Sequence, residues 1–268
     1  MDAVRPYQDG TYADGRMLAA VDDGIGLITF NRPDKRNAMS VDMWEGFGGI
    51  LEAFAADPDV RVLVLTGAGK AFVSGGDMSQ FETQQARLDY DKLAGEGRAR
   101  LAAFPKPIIA RIRGYCLGGG LGIAMNADIR IAAIDSEFGI PAPRLGIAYD
   151  FDFVRQLVTL IGPAHARMML YSGTRIDGAE AQRIGLINRM VPDQDLSDEV
   201  VELARTIADN APLSIVAARI AVAEAVKSES ERDAGAVQKA IAACFESEDY
   251  AEGRNAFIEK RAPHFKGR

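Results

Sequence analysis

The sequence predicts an α/β fold followed by a helical tail. In the first half of the chain, apolar and β-branched runs of strand length alternate with glycine-rich turns and with segments of helical character. That alternation is typical of a mostly parallel sheet connected by crossover helices. From about Phe153 the strand pattern fades, and helical segments follow one another with breaks at Gly162-Pro163, Gly185 and Pro212.

The composition is that of an ordinary globular protein. The 268 residues are 48% hydrophobic and 26% charged, which is enough apolar material for a sizeable core. The net charge of −7 argues against broad binding to nucleic acid or anionic membranes, but it does not exclude an anionic small ligand. Two cysteines and two histidines offer little material for a disulfide framework, a metal site or a histidine triad. We therefore expect no metal. Because no segment has the length of a signal peptide core or a membrane span, we expect a cytoplasmic protein.

The predicted elements follow in order along the chain. Residues 1–15 are polar and contain Gly, Pro and Asp, so we expect a flexible N-terminal arm there. Residues 17–21 and Ile25–Phe30 flank an Asp-Asp-Gly turn and predict a hairpin, and Ser40 is a fair N-cap for a helix that ends near residue 56. The other predicted strands cover 60–66, Ile108–Ile112, Ile129–Ala133 and 137–140. The other predicted helices cover 79–103 (with a mobile beginning), 179–184, 196–210, 213–228 and Ala234–Phe245.

Two glycine-rich turns carry the strongest functional signal. Residues 114–122 read Gly-Tyr-Cys-Leu-Gly-Gly-Gly-Leu-Gly, after one predicted strand and before a small-residue helix. Glycines at a helix start leave N–H groups without intrahelical partners at the positive end of the helix dipole. Residues 67–77, Gly-Ala-Gly-Lys-Ala-Phe-Val-Ser-Gly-Gly-Asp, form a second such turn. Two sources of backbone N–H could hold a carbonyl oxygen from two sides, whereas the alternative is that the glycines only permit close packing.

Together with four other segments, these turns resemble the crotonase (enoyl-CoA hydratase/isomerase) superfamily. The matching segments are Asn-Arg-Pro-Asp-Lys-Arg-Asn-Ala-Met at 31–39, 72–77, 114–120, Phe-Gly-Ile-Pro at 138–141, Gly-Leu-Ile-Asn at 185–188 and Phe-Ile-Glu-Lys-Arg at 257–261. They occur in one unbroken order from about residue 16 to the end. The resemblance implies a crotonase-like spiral of ββα turns over 16–200 and a helical C-terminal trimerisation region over 201–268. It also implies a homotrimer, or a hexamer built as a dimer of trimers.

The resemblance further implies an acyl-CoA enzyme, a lyase or isomerase of the kind used in fatty acid metabolism. The N–H groups of Gly76 and Gly119 would bind the thioester oxygen and stabilise the enolate that forms from it. Coenzyme A would enter as part of the substrate, with no separate cofactor. The residues implied in substrate binding are Lys35, Arg36, Ala38, Ser74, Gly75, Asp77, Met78, Leu117 and Pro141, with Phe257 and Lys260 supplied by a neighbouring subunit. Alternatively, the cations at 35, 36 and 260 are solvated loop and helix-end charges.

The sequence departs from the family pattern at the acid/base positions. Family hydratases carry glutamates where this chain has Gly122 and Ala142, so the two-carboxylate scheme for adding water is not available. Asp150 falls where chlorobenzoyl-CoA dehalogenases and dienoyl-CoA isomerases carry an aspartate, and Tyr149 where methylmalonyl-CoA decarboxylases have a tyrosine. We expect Tyr149, Phe151 and Phe153 to enclose Asp150 in apolar surroundings, which favours the protonated acid. The alternative is that Asp150 only caps a helix that begins near residue 152.

Three functions remain open at this point. The first is a hydratase/isomerase-type enzyme with Asp150 and Tyr149 as acid/base groups. The second is an Asp150-dependent thioester hydrolase, dehalogenase or C–C lyase such as a decarboxylase, built on the same scaffold. The third is a catalytically silent acyl-CoA-binding protein.

Overall fold

A computed structural model describes residues 5–268 of the chain. The strands are β1 (Arg5–Tyr12), β2 (Met17–Asp22), β3 (Ile25–Phe30), β4 (Val62–Gly67), β5 (Ala71–Val73), β6 (Ile108–Ile112), β7 (Tyr115–Leu117), β8 (Ile129–Ala133), β9 (Glu137–Gly139), β10 (Arg175–Asp177) and β11 (Arg189–Val191). The helices are α1 (Val41–Ala56), α2 (Gln84–Ala102), α3 (Gly119–Met125), α4 (Ala142–Leu145), α5 (Phe151–Ser172), α6 (Gly178–Arg183), α7 (Leu196–Asp209), α8 (Pro212–Ala225), α9 (Ala234–Phe245) and α10 (Glu248–Glu259).

The strands form two sheets. The larger has the order β1-β2-β3-β4-β6-β8-β11, with β1, β2 and β3 antiparallel and the rest parallel. The smaller has the order β10-β9-β7-β5, in which β10 alone is antiparallel to its neighbour. The predicted mostly parallel sheet is therefore confirmed, but as two sheets. Each glycine turn carries the chain from the larger sheet to the smaller one before a helix returns, as in β4-β5-α2 and β6-β7-α3.

Strand β4 is buried on both faces and so divides the core in two. Leu63 and Leu65 belong to a large cluster that also takes in side chains from α1, α2, α3 and α5. Val62 and Val64 point the other way, into a second cluster under α7. Helix α7 covers that face with Leu196, Val200, Ala204 and Ala208, which are spaced four residues apart and therefore lie on one side of the helix. The predicted boundary between residues 200 and 201 falls inside this helix.

The N-terminal arm is the element that the sequence did not reveal. Residues 5–12 form an edge strand paired with β2, from Arg5 opposite Val21 to Tyr12 opposite Met17. The ring of Tyr7 packs edge-on against Phe54 of α1, with 4.8 Å between ring centroids. An edge strand is held by backbone hydrogen bonds on one side, so its polar sequence is compatible with pairing. The prediction of a flexible arm is wrong for this range, and residues 1–4 lie outside the described part of the chain.

The C-terminal third is helical, as predicted. Gly162 has φ of 71° inside α5, so the expected break at Gly162-Pro163 divides α5 into two helical segments. Helices α8 and α9 bury none of their residues within the chain, and Arg219 attaches α8 to the core by hydrogen bonds to Asp128 and to the carbonyl oxygen of Phe104. Helix α10, which the sequence pattern did not predict, ends at Lys260 in the left-handed conformation.

No single helix within residues 5–268 combines the length and apolar composition needed to cross a membrane. One pair of helical segments, Asp193–Asp209 and Pro212–Ala225, meets both criteria when taken together, but the two are bent by 106° relative to each other.

Candidate active site

A cleft of about 310 Å³ opens where the two glycine turns meet. The predicted site residues in its lining are Ser74, Gly75, Gly76, Met78, Gly119, Pro141, Tyr149 and Asp150. Helix α2 supplies five further lining residues: Arg87, Tyr90, Asp91, Ala94 and Arg98. Trp44 of α1 and Phe81, just before α2, also line the cleft. The two turns thus line one cleft, of which α2 forms a wall.

Gly76 and Gly119 lie next to each other in the lining of the cleft. A Cβ placed on Gly119 would lie 3.9 Å from the nitrogen of Gly76. Gly119 is the first residue of α3, so its N–H has no intrahelical acceptor. Around Gly76, the N–H of Met39 donates to the oxygen of Gly75 at 2.9 Å, and the N–H of Asp77 donates to the oxygen of Met39 at 2.8 Å. These bonds fix the turn, and among residues 5–268 neither glycine N–H donates to a protein acceptor.

The third glycine of the run serves packing. A Cβ on Gly120 would lie 2.1 Å from the carbonyl oxygen of Val73, so the start of α3 can pack against β5 only without a side chain there. Gly75 has φ of 117°, a conformation that L side chains rarely adopt. Both interpretations of the glycine turns therefore apply, to different residues: close packing at Gly120 and an available donor at Gly119.

Gly122 and Ala142, the two positions at which the resemblance implies a glutamate in hydratases, lie in closely packed surroundings. A Cβ on Gly122 would lie 2.9 Å from the ring of Phe153 and 3.4 Å from Cδ of Arg98, so these side chains occupy the space next to it. Ala142 is buried at the start of α4. No carboxylate reaches the cleft from either position.

Asp150 both caps helix α5 and lines the cleft. Its carboxylate accepts a hydrogen bond from the N–H of Phe153 at 2.8 Å and so caps α5. The other oxygen accepts from Nη2 of Arg98, also at 2.8 Å. The side chain is 52% exposed, and Phe151 turns outward with 78% of its surface exposed. The predicted apolar enclosure of Asp150 is wrong. Phe151, the first residue of α5, points into solvent and does not cover the Asp150 carboxylate.

Tyr149 is the neutral polar group beside that carboxylate. Its ring stacks on Phe153 with 4.0 Å between centroids and 21° between planes. Its hydroxyl lies 2.8 Å from where a Cβ on Gly118 would be. Burial raises the pKa of Tyr149 to about 12, although the positive charges of Arg98 and Arg87 act in the opposite direction. The phenol is therefore protonated at neutral pH, and its hydroxyl has no hydrogen-bond partner in the described part of the chain.

Helix α2 contributes the residues that sequence reasoning missed. Tyr90 accepts a hydrogen bond from the indole of Trp44 at 3.0 Å and donates to the oxygen of Met39 at 3.1 Å, and burial raises its pKa to about 12. Arg87 pairs with Asp91 at 2.7 Å. A signal existed in the sequence, because residues 87, 91, 94 and 98 have the spacing of one helical face. What that face would meet depends on contacts with distant segments.

Comparison with known proteins places this geometry in a family. Residues 20–268 match the profile of the enoyl-CoA hydratase/isomerase family. The chain belongs to that family. It is 34% identical over 248 residues to a crotonyl-CoA hydratase of Syntrophomonas wolfei, covering 91% of this chain and 95% of the relative. It is also 34% identical over 241 residues to a short-chain-enoyl-CoA hydratase of Clostridium acetobutylicum, covering 88% and 92%. A crystal structure of an enoyl-CoA hydratase/carnithine racemase from Magnetospirillum magneticum superposes with a TM-score of 0.90 at 32% identity, covering 94% and 96%. The predicted crotonase fold is thus confirmed.

The loop expected to contact coenzyme A flanks the cleft of this family member without lining it. Asn37 is buried and donates to the oxygens of Ala68 and Ala71 at 2.9 and 2.7 Å, which anchors the loop. The N–H of Ser74 donates to the oxygen of Arg36 at 3.1 Å, so the loop lies against the glycine turn. Lys35 and Arg36 are exposed, Ala38 is half-buried, and the Arg36 guanidinium lies over the ring of Tyr115 at 4.9 Å.

Asp77 and Leu117 are buried beside the cleft and do not line it. Asp77 is 7% exposed and accepts hydrogen bonds from Arg32 at 2.6 Å and from the hydroxyl of Ser79 at 2.7 Å. Burial alone raises the pKa of Asp77, but the hydrogen bonds from Ser79 and Arg32 outweigh it and lower the pKa overall. The carboxylate of Asp77 thus fixes the loop to the turn, and any contact of this residue with substrate would be through its backbone.

The tail residues lie away from their own chain's cleft. Phe257 on α10 is 85% exposed, and Lys260 follows at the end of the same helix. Neither lines the cleft. A contribution of these residues to a site therefore depends on a second copy of the chain, which stays a prediction.

Proposed function

We propose that this protein is an acyl-CoA enzyme that holds the thioester oxygen between the N–H groups of Gly76 and Gly119. The observation that carries the proposal is their position: Gly76 and Gly119 lie side by side in the lining of one cleft, and within residues 5–268 neither N–H donates to a protein acceptor. A thioester oxygen gains negative charge when the α-carbon is deprotonated or the acyl group is attacked. Two fixed donors stabilise that charge more than they stabilise the uncharged substrate, and one such donor is typically worth about 3–4 kcal/mol.

In this proposal Asp150 and Tyr149 take over the acid/base work. Asp150 is held by the N–H of Phe153 and by Arg98, with half of its side chain exposed toward the cleft and solvent. A carboxylate oriented in this way can accept a proton from the substrate. Tyr149, protonated at neutral pH, can donate one. Proton movement between neighbouring carbons, as in a hydratase/isomerase-type reaction, needs one acceptor and one donor.

A second candidate uses Asp150 as a nucleophile, in a hydrolase, dehalogenase or C–C lyase. The exposure of its carboxylate supports this candidate, because attack on a substrate carbon requires an accessible oxygen. The names of the relatives favour the hydratase class, but Gly122 and Ala142 separate this chain from the two-glutamate scheme. Neither candidate needs a cofactor beyond the coenzyme A of the substrate.

The proposal includes assembly into a homotrimer or a hexamer. Helices α8 and α9 bury no residue within the chain, while Val222, Phe245 and Phe257 present large apolar surfaces. Such surfaces on one chain support burial against further copies. A neighbouring chain could then bring Phe257 and Lys260 to the exposed loop of Lys35 and Arg36. The two cysteines are free thiols, in keeping with the proposed cytoplasmic location.

Replacing Asp150 with asparagine tests the catalytic part of the proposal. Asparagine keeps one oxygen, which can cap α5, but it loses the second oxygen that accepts from Arg98, together with the charge and the basicity. On the acyl-CoA that the wild type converts, kcat should fall by about 10²–10⁴-fold while KM changes little. Circular dichroism and calorimetry with the same acyl-CoA serve as controls for folding and binding.

Three results would count against this proposal. A variant with unchanged kcat would reduce Asp150 to a helix cap. A wild type that binds acyl-CoAs but converts none of them would support the silent binding protein. A wild type that binds no acyl-CoA at millimolar concentration would contradict the function as a whole.

A further inference from the structure

Arg98 places a positive charge where the family's hydratases are expected to have a negative one. It lies on α2, 52 residues before Asp150 in the chain, and its side chain is only 16% exposed. Its Cδ lies 3.4 Å from the point where a Cβ on Gly122 would be. The stem of Arg98 therefore runs past the vacant glutamate position, and its guanidinium lies in the cleft lining beside Asp150.

Most of the hydrogen-bonding capacity of Arg98 is unused. A guanidinium has five N–H donors arranged in a planar fork. Within residues 5–268, Arg98 makes one hydrogen bond, from Nη2 to a single oxygen of Asp150. The other cleft arginine, Arg87, is likewise paired with one carboxylate, Asp91, and it also lies over the ring of Phe81 at 5.0 Å. Arg98 is the more buried of the two, with 16% of its side chain exposed against 28%, so its spare donors are the more costly to leave without an acceptor.

Tyr149 supplies a second donor next to Arg98. Its hydroxyl has no partner among the described residues and lies at the Gly118 turn. Both side chains line the same cleft, and Arg98 donates to the residue that directly follows Tyr149, Asp150, at 2.8 Å. A neutral hydrocarbon chain in this corner would leave these donors facing apolar atoms, which is unfavourable for buried polar groups. An anionic oxygen would satisfy both.

Resting on the proposed function, we infer that the substrate's acyl group carries a carboxylate, which the Arg98 guanidinium and the Tyr149 hydroxyl bind. The substrate class is then the coenzyme A monothioester of a short dicarboxylic acid. A carboxylate suits the arginine fork because it can accept two parallel N–H bonds. The length follows from α3: Gly122 lies three residues after Gly119, about 4.5 Å along the helix axis. That separation suits a carboxylate two or three bonds beyond the thioester carbon.

Matched acyl-CoA pairs test this inference. Malonyl-CoA and propanoyl-CoA have three acyl carbons each, and succinyl-CoA and butanoyl-CoA have four, so only the carboxylate differs within a pair. We expect the wild type to bind the carboxylate member of at least one pair about tenfold tighter or more in calorimetry. In Arg98→Met this preference should shrink to about twofold or less, because a charged donor is lost while the apolar stem remains.

Arg100→Met is the matched control. Arg100 lies on the same helix, pairs with Glu52 at 2.8 Å and does not line the cleft, so its loss changes net charge equally. This variant should keep the wild-type preference. Arg98→Lys retains the charge without the fork and should give an intermediate preference, which keeps the test decisive if Arg98→Met does not fold.

The outcomes separate this inference from the proposed function. Equal affinity within both pairs for the wild type would overturn the inference and leave an acyl-CoA enzyme for neutral substrates. A preference that survives in folded Arg98→Met, or that Arg100→Met abolishes equally, would also overturn it. Failure to bind any of the four thioesters would instead contradict the proposed function.

Discussion

Replacing Gly119 with alanine should remove activity without disturbing the fold. The nearest atoms to a Cβ on Gly119 are Cα and N of Gly75 and Gly76, at 3.9 Å, which is ordinary van der Waals contact. Gly119 is a helical residue and is not among the glycines with positive φ. Alanine is therefore sterically and conformationally allowed, and it should leave stability unchanged or raise it by up to about 1 kcal/mol.

The same methyl group would compete with the substrate. An oxygen bound by both N–H groups must lie about 2.9 Å from each nitrogen. The new methyl carbon would be bonded to the Cα of residue 119 and would lie 3.9 Å from the nitrogen of Gly76. It would therefore crowd an oxygen bound between the two nitrogens. Alanine keeps the backbone N–H, but an oxygen that the methyl group displaces from it loses that hydrogen bond, and a lost contact of this kind lowers kcat about 10²–10³-fold, or about 3–4 kcal/mol. The assay is steady-state turnover of an accepted acyl-CoA, with a thermal melt of the same preparation.

Gly120→Ala is the comparison variant, and it should lower the stability of the fold, which Gly119→Ala should leave intact. Its Cβ would lie 2.1 Å from the oxygen of Val73 and 2.7 Å from the Val73 Cβ, so strand and helix must separate. We expect a loss of about 3 kcal/mol or more in stability, which is about 10 °C in Tm. If Gly119→Ala kept wild-type turnover with a normal melt, the oxygen site would not lie between Gly76 and Gly119. If Gly120→Ala melted like the wild type, the close approach of α3 to β5 would be refuted.

Two further predictions concern stability and assembly. The pKa of Asp77 is lower in the folded protein than its ordinary value, so its contribution is present at neutral pH and is lost as the pH falls below about 4. Asp77→Asn should cost about 2 kcal/mol at pH 7. This difference in the free energy of unfolding, measured in urea, should become smaller as the pH is lowered below about 4, and an unchanged difference would contradict the role of the Arg32 pair. In light scattering, the wild type should have about three or six times the mass of the 28.9 kDa chain, and a particle of one chain's mass at micromolar concentration would contradict the proposed trimer.

Long regular elements could be predicted because their apolar patterns are local. Ile108–Ile112 and Ile129–Ala133 are apolar runs interrupted by one arginine each, and the structure has strands with these bounds. Strands such as β5 and β7 are three residues long, too short for a period to appear, so the second sheet was not predicted from periodicity. The strand β1 is held by edge pairing that polar residues permit, which is why its sequence looked like an arm.

In the candidate site too, the features set by local sequence could be predicted and those set by distant contacts could not. The glycine turns could be located because glycine is demanded by local geometry, as at Gly120 and Gly75. The surroundings of Asp150 could not be predicted, because its neighbours in sequence are not its neighbours in space. The adjacent Phe151 turns outward, and the partner Arg98 comes from α2. Which residues accompany a carboxylate in a cleft is set by the packing of distant segments.

Hydration of crotonyl-CoA tests the central claim most directly, which is that the oxygen-binding turns are kept while the two-glutamate chemistry is gone. The rate should be measured side by side with the crotonyl-CoA hydratase of Syntrophomonas wolfei, together with the affinity of this protein for the same thioester. With Gly122 and Ala142 in the two acid/base positions, we expect measurable binding but hydration slower by about 10⁴-fold or more. Hydration at a rate similar to that of the Syntrophomonas enzyme would contradict this expectation and show that another group supplies the protons.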